Sequence, residues 1–259
     1  METKKILAVI GSPNGATSNT VAFANDFMES VKSFVGGSIA VETEVVSLGK
    51  VNIGPCKGCW ACTKIGRCVV QDDLQALQEK ILACDLLLLG SPVYVHQVSA
   101  QYKAFMDRLF IWIHTFKLLG KPVVTVLTTA STGAAPTERY LRDSAVMFGG
   151  IPVGSLRAIA YRPGEFPERE ACRKKYLPLA KKISVMLAGT KAPRPVLMNH
   201  LMFMGMKWKI RGFTGSFEHG YWKDRGWFDL GYRKACRGEA GRRDARSEEI
   251  SQMAKWQDK

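Results

Sequence analysis

Four cysteines fall within thirteen residues, Cys56, Cys59, Cys62 and Cys68, in the spacing C-x2-C-x2-C-x5-C. Thiols this crowded serve metal or redox chemistry more readily than packing. A single zinc ordinarily takes its ligands from two separated C-x2-C knuckles, and here Cys59 would belong to two overlapping ones. Three thiolates so close suit the corners of a cubane, each iron taking one cysteine. A [4Fe–4S] cluster is therefore the first reading; zinc, and uncoordinated or redox-active thiols, are the others. Gly58 and Gly66 supply the backbone freedom that a tight wrap demands. Cys84, Cys172 and Cys236 stand alone and read as small buried or incidental residues. The chain opens Met-Glu-Thr-Lys-Lys, followed by an apolar run too short for a signal-peptide core. A disulfide framework is thus disfavoured, and the cytoplasm is the expected compartment.

A second candidate site is Gly11-Ser-Pro-Asn-Gly-Ala-Thr-Ser-Asn-Thr20, rich in hydroxyls and amides and free of acid. Placed between a strand and a helix, such a loop adds hydrogen-bond donors to the partial positive charge of the helix N-terminus, which makes an anion site for a phosphate. It lacks the Gly-Lys-Ser/Thr of a Walker loop and the G-x-G-x-x-G of a dinucleotide fingerprint. No Ser/His/Asp or paired-carboxylate constellation suggests hydrolysis.

The pattern of elements predicts how these loops are held. Strands are expected at Lys5–Gly11, Ala40–Leu48, Asp85–Gly90, Pro122–Thr128 and Pro152–Tyr161. Helices are expected from Ser18-Asn19-Thr20 onward, from an Asp72-Asp73 cap to about Leu82, at Ser99–Trp112, at Thr137–Phe148 and at Arg169–Leu187. Five β-then-α units imply an α/β fold, a parallel sheet with helices on both faces. Ligands of such sheets bind beyond the carboxyl ends of the strands, where strand order reverses. That points to the loops after the first, third and fourth strands. Lys103, Asp107 and Arg108 lie at helical spacing and are expected to form a surface or interface ion-pair set.

With Gly11-Ser12-Pro13 through Ser18-Asn19-Thr20, the Cys56–Cys68 loop followed by Asp72-Asp73, Ser91-Pro92-Val93-Tyr94 and Lys103-Ala-Phe-Met-Asp-Arg108 all in order, the chain resembles the NADPH-dependent FMN reductase and iron–sulfur flavoprotein family. The resemblance spans roughly residues 1–190. It implies a flavodoxin-like three-layer sandwich with a five-stranded parallel sheet of order 2-1-3-4-5. It further implies FMN as cofactor, its phosphate on Ser12, Ser18, Asn19 and Thr20, with Pro13 among the cofactor-binding residues. Pro92, Val93 and Tyr94 would lie along the isoalloxazine, and Thr129, Ala130, Ser131 and Gly133 would close over it. Cys56, Cys59, Cys62 and Cys68 would ligate a cluster. The activity implied is an FMN-dependent oxidoreductase taking electrons from NAD(P)H or a ferredoxin-like donor and passing them to a small acceptor. An electron carrier or redox sensor without its own substrate is the alternative. Asn14 stands where the family commonly has a basic residue, and His96 where a smaller or aromatic one is usual. His96 is a weak proton-donor candidate.

The 259 residues carry 37 Lys and Arg against 23 Asp and Glu. No run approaches the 18 or so apolar residues of a membrane span. Residues 1–150 are close to neutral, so the excess of positive charge lies in the C-terminal part. The expected domains are 1–190 and a basic, aromatic-rich extension at 191–259, with Lys191–Pro195 as linker. Three readings of the extension compete: packing against the domain or a second subunit, a lid over the flavin, and an amphipathic segment on an anionic membrane. Nucleic acid has charge in its favour but no motif and is not expected as a partner. A homodimer or homotetramer is expected.

Overall fold

The computed structural model describes residues 2–37 and 39–238. Residues 239–259, the end of the expected extension, lie outside the described residues. Five strands, β1 (Glu2–Ile10), β2 (Ile39–Ser47), β3 (Leu86–Pro92), β4 (Pro122–Thr129) and β5 (Ile151–Ile159), form one sheet of order β2-β1-β3-β4-β5. Every pairing is parallel. The register between β4 and β5 slips once, between Val123 and Val124, where Val153 has no partner on β4.

The two faces of the sheet are read off by alternation. Ile6, Ala8, Ile10, Leu86, Leu88, Val124 and Val126 enter one core, packed under α1 (Asn19–Val35) and α7 (Arg169–Leu187). Leu7, Val9, Leu87, Leu89, Val123 and Leu127 enter the other, under α3 (Leu74–Ala83), α4 (Ala100–Arg108), α5 (Phe110–Thr115) and α6 (Ala134–Met147). The four consecutive leucines of β3 are buried on both faces, as a central parallel strand requires. The fold is the expected flavodoxin-like three-layer sandwich.

Two local expectations are corrected. The helix predicted over Ser99–Trp112 breaks at Leu109, whose φ of −90° and ψ of 17° leave the helical region. The four-cysteine segment is not wholly loop: Ala61–Ile65 forms a short helix, α2, bounded by left-handed Trp60 and Gly66.

The extension folds into α8 (Leu197–Arg211), α9 (Phe217–Asp224) and α10 (Tyr232–Arg237). Phe203, Trp222, Trp227 and Tyr232 are buried and continue the α1/α7-side core together with Phe116. Phe203 stacks on Trp222, their centroids 4.9 Å apart. Asn199 Nδ2 donates to the Gly150 carbonyl at 2.8 Å, and the Tyr232 hydroxyl to that of Gly149 at 2.6 Å. Both carbonyls immediately precede β5, so α8 and α10 sit at the amino rim of the sheet, while α9 packs on α5 and places Phe217 against Gly66 of the cysteine loop. The flavin loops leave the carboxyl rim. This part of the extension is packed against the domain and is not a lid. Among the described residues, no helix is long and apolar enough to cross a membrane.

Candidate functional site

Three loops meet at the carboxyl rim of β1, β3 and β4. The first, residues 11–18, is tied down on two sides. Ser47 Oγ at the end of β2 donates to the Ser12 carbonyl at 2.8 Å, and the Gly49 amide reaches the same carbonyl at 3.2 Å. On the other side Ser99 Oγ donates to the Gly11 carbonyl, while the Ser99 amide donates to Ser91 Oγ at 2.9 Å. Ser99 is also the N-cap of α4, its hydroxyl accepting from the Tyr102 amide. One serine therefore joins the first loop, the end of β3 and the start of a helix. The Val93 amide, donating to the Thr128 carbonyl at 2.8 Å, joins the second loop to β4.

Within the first loop, Ser12, Ser18, Asn19 and Thr20 are buried and Pro13 is half-buried. Ser18 caps α1 by accepting from the Val21 amide, and no acid occupies that helix's first turn. The environment is polar, oriented and free of competing negative charge, which fits a phosphate dianion. Two of the five residues have other duties. Thr20 Oγ1 lies 2.6 Å from Thr128 Oγ1, bracing α1 to β4. The Asn19 side chain donates to the carbonyls of Arg162 and Glu165 and accepts from the Gly164 amide, so it fastens the loop after β5. Sequence reasoning missed a cation here. Asn14 brings no charge, but Lys50, just beyond β2, lies across the loop; a Cβ on Gly15 would sit 2.6 Å from its Cε. A lysine 35 residues away in sequence leaves no local signal.

The second loop is a tight turn. Tyr94 and Gln97 exchange backbone hydrogen bonds at 2.8 and 3.0 Å, and the two residues between them, Val95 and His96, both have positive φ (48° and 62°). Asn and Gly normally fill such positions, and a β-branched residue there is strained. Tyr94 is exposed, so it is not a core tyrosine; its ring is open to a ligand. Pro92 and Val93 lie half-buried beside it.

The third loop packs onto the second. His96 Nε2 is 3.0 Å from Thr132 Oγ1. Gly133 has φ of +80°, and a Cβ there would lie 2.6 Å from His96 Cα and 2.9 Å from Val93 Cγ1. Only glycine permits this approach. Thr129 Oγ1 accepts from the Ser131 amide and donates to the Thr132 carbonyl, which shapes the turn. Ala130 and Ser131 stand exposed at the rim with Tyr94 and His96. The assembled surface offers backbone and hydroxyl groups around a flat, open shelf, which fits a planar heteroaromatic with an anionic tail.

The cysteine loop lies against α4 and α5, with Trp60 edge-on to Phe110 at 5.4 Å. Cys56 and Cys59 are exposed, Cys62 and Cys68 half-buried, and all four are free thiols. Burial raises the Cys62 pKa, and the nearby Cys68, Cys56 and Cys59 raise it further. In kind, this donor set fits a thiolate-ligated centre. In geometry it does not yet converge: among the described residues, no three His, Cys, Asp or Glu side chains are gathered as metal ligands.

Arg108 corrects an expectation. Its side chain is not on the surface with Lys103 and Asp107, which pair by themselves. It is fully buried and binds Asp72 through two nitrogens, at 2.6 and 3.0 Å. The same guanidinium donates to the carbonyls of Gly54 and Val70 and to Cys68 Sγ. Asp72 also accepts from the amides of Leu74 and Gly54, so Asp72 supplies the capping carboxylate at α3, while Asp73 accepts from the Asn52 amide. Burial alone would lift the Asp72 pKa; the hydrogen bonds from Arg108 and from the Leu74 and Gly54 amides, with the charge of Arg108, outweigh it and hold the carboxyl below its usual value.

The NADPH-dependent FMN reductase family matches residues 4–162. An iron–sulfur flavoprotein of Archaeoglobus fulgidus is 28% identical over 231 residues, covering 86% of this chain and 99% of that protein. One of Methanocaldococcus jannaschii is 35% identical over 162 residues, 62% of this chain and 81% of that protein. Among solved structures, an oxidoreductase from Corynebacterium diphtheriae superposes with a TM-score of 0.53 at 21% identity, covering 73% of this chain and 99% of that one. A flavodoxin-like sheet, three loops joined at its carboxyl rim and a family match across most of the sandwich lead to one conclusion: the chain belongs to the NADPH-dependent FMN reductase family and is an FMN-dependent NAD(P)H oxidoreductase.

Proposed function

We propose that the protein takes electrons from NAD(P)H, or from a ferredoxin-like donor, through FMN at the carboxyl rim and passes them to a small acceptor, with a [4Fe–4S] cluster on Cys56, Cys59, Cys62 and Cys68 as a one-electron port. The observation that carries this reading is the joining of three loops by Ser99, Ser91 and Val93 around an acid-free anion loop and an open shelf. Bound FMN supplies the one- and two-electron chemistry, and the protein supplies position and electrostatics. Ser12 and Ser18, with the amino end of α1 and the Lys50 ammonium, would hold the phosphate. Tyr94 would offer a flat face, Pro92 and Val93 an apolar floor, and Thr129, Ala130, Ser131 and Gly133 the upper edge. His96, positioned by Thr132, would stand where a proton is given or taken. The shelf is open, so a nicotinamide would stack on it transiently.

The cysteine loop favours exchange with a protein partner as the second reading, because Cys56 and Cys59 reach the surface. Reduced thiols at Cys56, Cys59, Cys62 and Cys68 fit a reducing compartment such as the cytoplasm.

The test is an absorption spectrum with iron and sulfide analysis on anaerobically purified protein. Flavin bands with about four irons per chain are expected. Flavin without iron would remove the cluster and leave the oxidoreductase. Colourless protein that takes up no added FMN would overturn the whole reading. Cys59→Ser should abolish iron binding while flavin stays; loss of both would make the cysteine loop a structural element.

A further inference from the structure

One helix is apolar on both sides. On α8, Asn199, Phe203 and Ile210 are buried against the domain. Leu197, Leu201, Met204 and Trp208 follow at turn spacing on the opposite side and face outward. Trp208 is 84% exposed and Leu197 73%; Leu201 and Met204 are each more than half exposed. Phe213, just past the helix, is exposed as well. A stripe of this kind on a helix already seated on its core marks a surface for something else.

Charge identifies what covers it. From residue 171 to residue 217 the sequence contains ten Lys and Arg and not one Asp or Glu. A cleft of about 750 Å³ opens at residues 190–195, which lead directly into α8. Lys191, Arg194, Arg233 and Arg237 line it with no acidic residue among the described lining, and no ion pair engages any of the four among the described residues. A second copy of this chain seated on the same face would bring two mainly cationic surfaces together, with Asp229, beside Arg211, as the acid next to the helix. A duplex would use the cations and leave the tryptophan and leucines in water. An anionic bilayer satisfies both: its headgroups meet the cations, and its acyl boundary receives the stripe. Among the described residues no helix is long and apolar enough to cross a bilayer, and the contact argued for is a peripheral one.

We propose that the outer face of α8, with the cationic cleft at its start, docks the protein on an anionic lipid surface, leaving the flavin rim at the far end of the sheet. The test is flotation of the full, flavin-loaded chain with vesicles of phosphatidylcholine alone or with one third phosphatidylglycerol. Binding to the anionic vesicles only, weakening with salt, is expected. Leu201→Glu with Trp208→Glu, and separately Lys191→Glu with Arg194→Glu, should each lower the bound fraction by about tenfold or more. All four residues are exposed, so flavin content and melting temperature should stay at wild type and report intact folding. No binding to anionic vesicles at low salt overturns the proposal. So does vesicle binding unchanged in both double variants. Light scattering showing that Trp208→Glu splits an oligomer would assign the stripe to a second copy, and equal retention on DNA with or without the stripe would assign the charge to nucleic acid; either result overturns it too.

Discussion

Arg108 Nε lies 3.1 Å from Cys68 Sγ, and the same guanidinium grips Asp72 with its other two nitrogens. The last cysteine of the motif is thus held by a buried arginine 40 residues away, and that arginine is held in turn by the carboxylate that caps the next helix. Any ligand role of Cys68 depends on this lock, because outer hydrogen bonds set the orientation and electronics of a metal-binding sulfur.

Replacing Arg108 with Ala should be among the costliest changes in the sandwich. It would leave Asp72 buried without its cation, a loss of about 3–5 kcal/mol, measurable by urea unfolding. Asp72→Ala combined with Arg108→Ala should be less harmful than the sum of the two, since neither then leaves an unpaired charge. Additive losses would show that the pair is not coupled.

Acid should unpick the same contact. The folded Asp72 carboxyl has a lowered pKa, so the unfolded chain takes up its proton first. The stabilisation is complete above about pH 4 and is lost as pH falls through the lower folded value. Unfolding midpoints followed from pH 6 to pH 3 should fall less steeply in Asp72→Asn than in wild type. Identical slopes would refute this.

Gly133→Val tests the shelf. The position is left-handed and its Cβ direction is filled by His96, so strain of about 1–3 kcal/mol would be relieved by parting the second and third loops. FMN affinity, measured by fluorescence quenching, should weaken by about tenfold or more, while circular dichroism in the far ultraviolet is unchanged.

Trp222 anchors the extension. It is fully buried, and its Nε1 donates to the His114 carbonyl at 2.7 Å. Trp222→Ala should cost about 3–5 kcal/mol by thermal or urea unfolding. A loss below about 1 kcal/mol, of the order of a surface change, would mean that the extension contributes little to the fold.

The sandwich was legible because its signals are local. The leucine run of β3, the capping serine of α1 and the span of α7 each sit within a few residues of what they determine. The flavin loops were legible for the same reason, as turn-forming strings at strand ends. What escaped was long-range. Nothing near Arg108 announces Asp72 or Cys68, so helical spacing suggested a surface residue. Lys50 reaches the phosphate loop from the turn after β2, and Ser99 joins two loops that a single-segment reading treats separately. The extension shows both cases at once. Its aromatic residues signalled packing, but their spacing does not say that they pack at the amino rim, because that is decided by carbonyls of Gly149 and Gly150.

Those two carbonyls matter in time as well as in space. They belong to the turn that launches β5, the edge strand whose ladder already slips by one residue beside Val123. Asn199 and Tyr232 lie 48 and 81 residues past the first residue of that strand, at Ile151. On a ribosome, the start of the fifth strand would emerge and pair well before its final clamps are made. The outer edge of the sheet would then stay provisional until Asn199 and Tyr232 have emerged to clamp it.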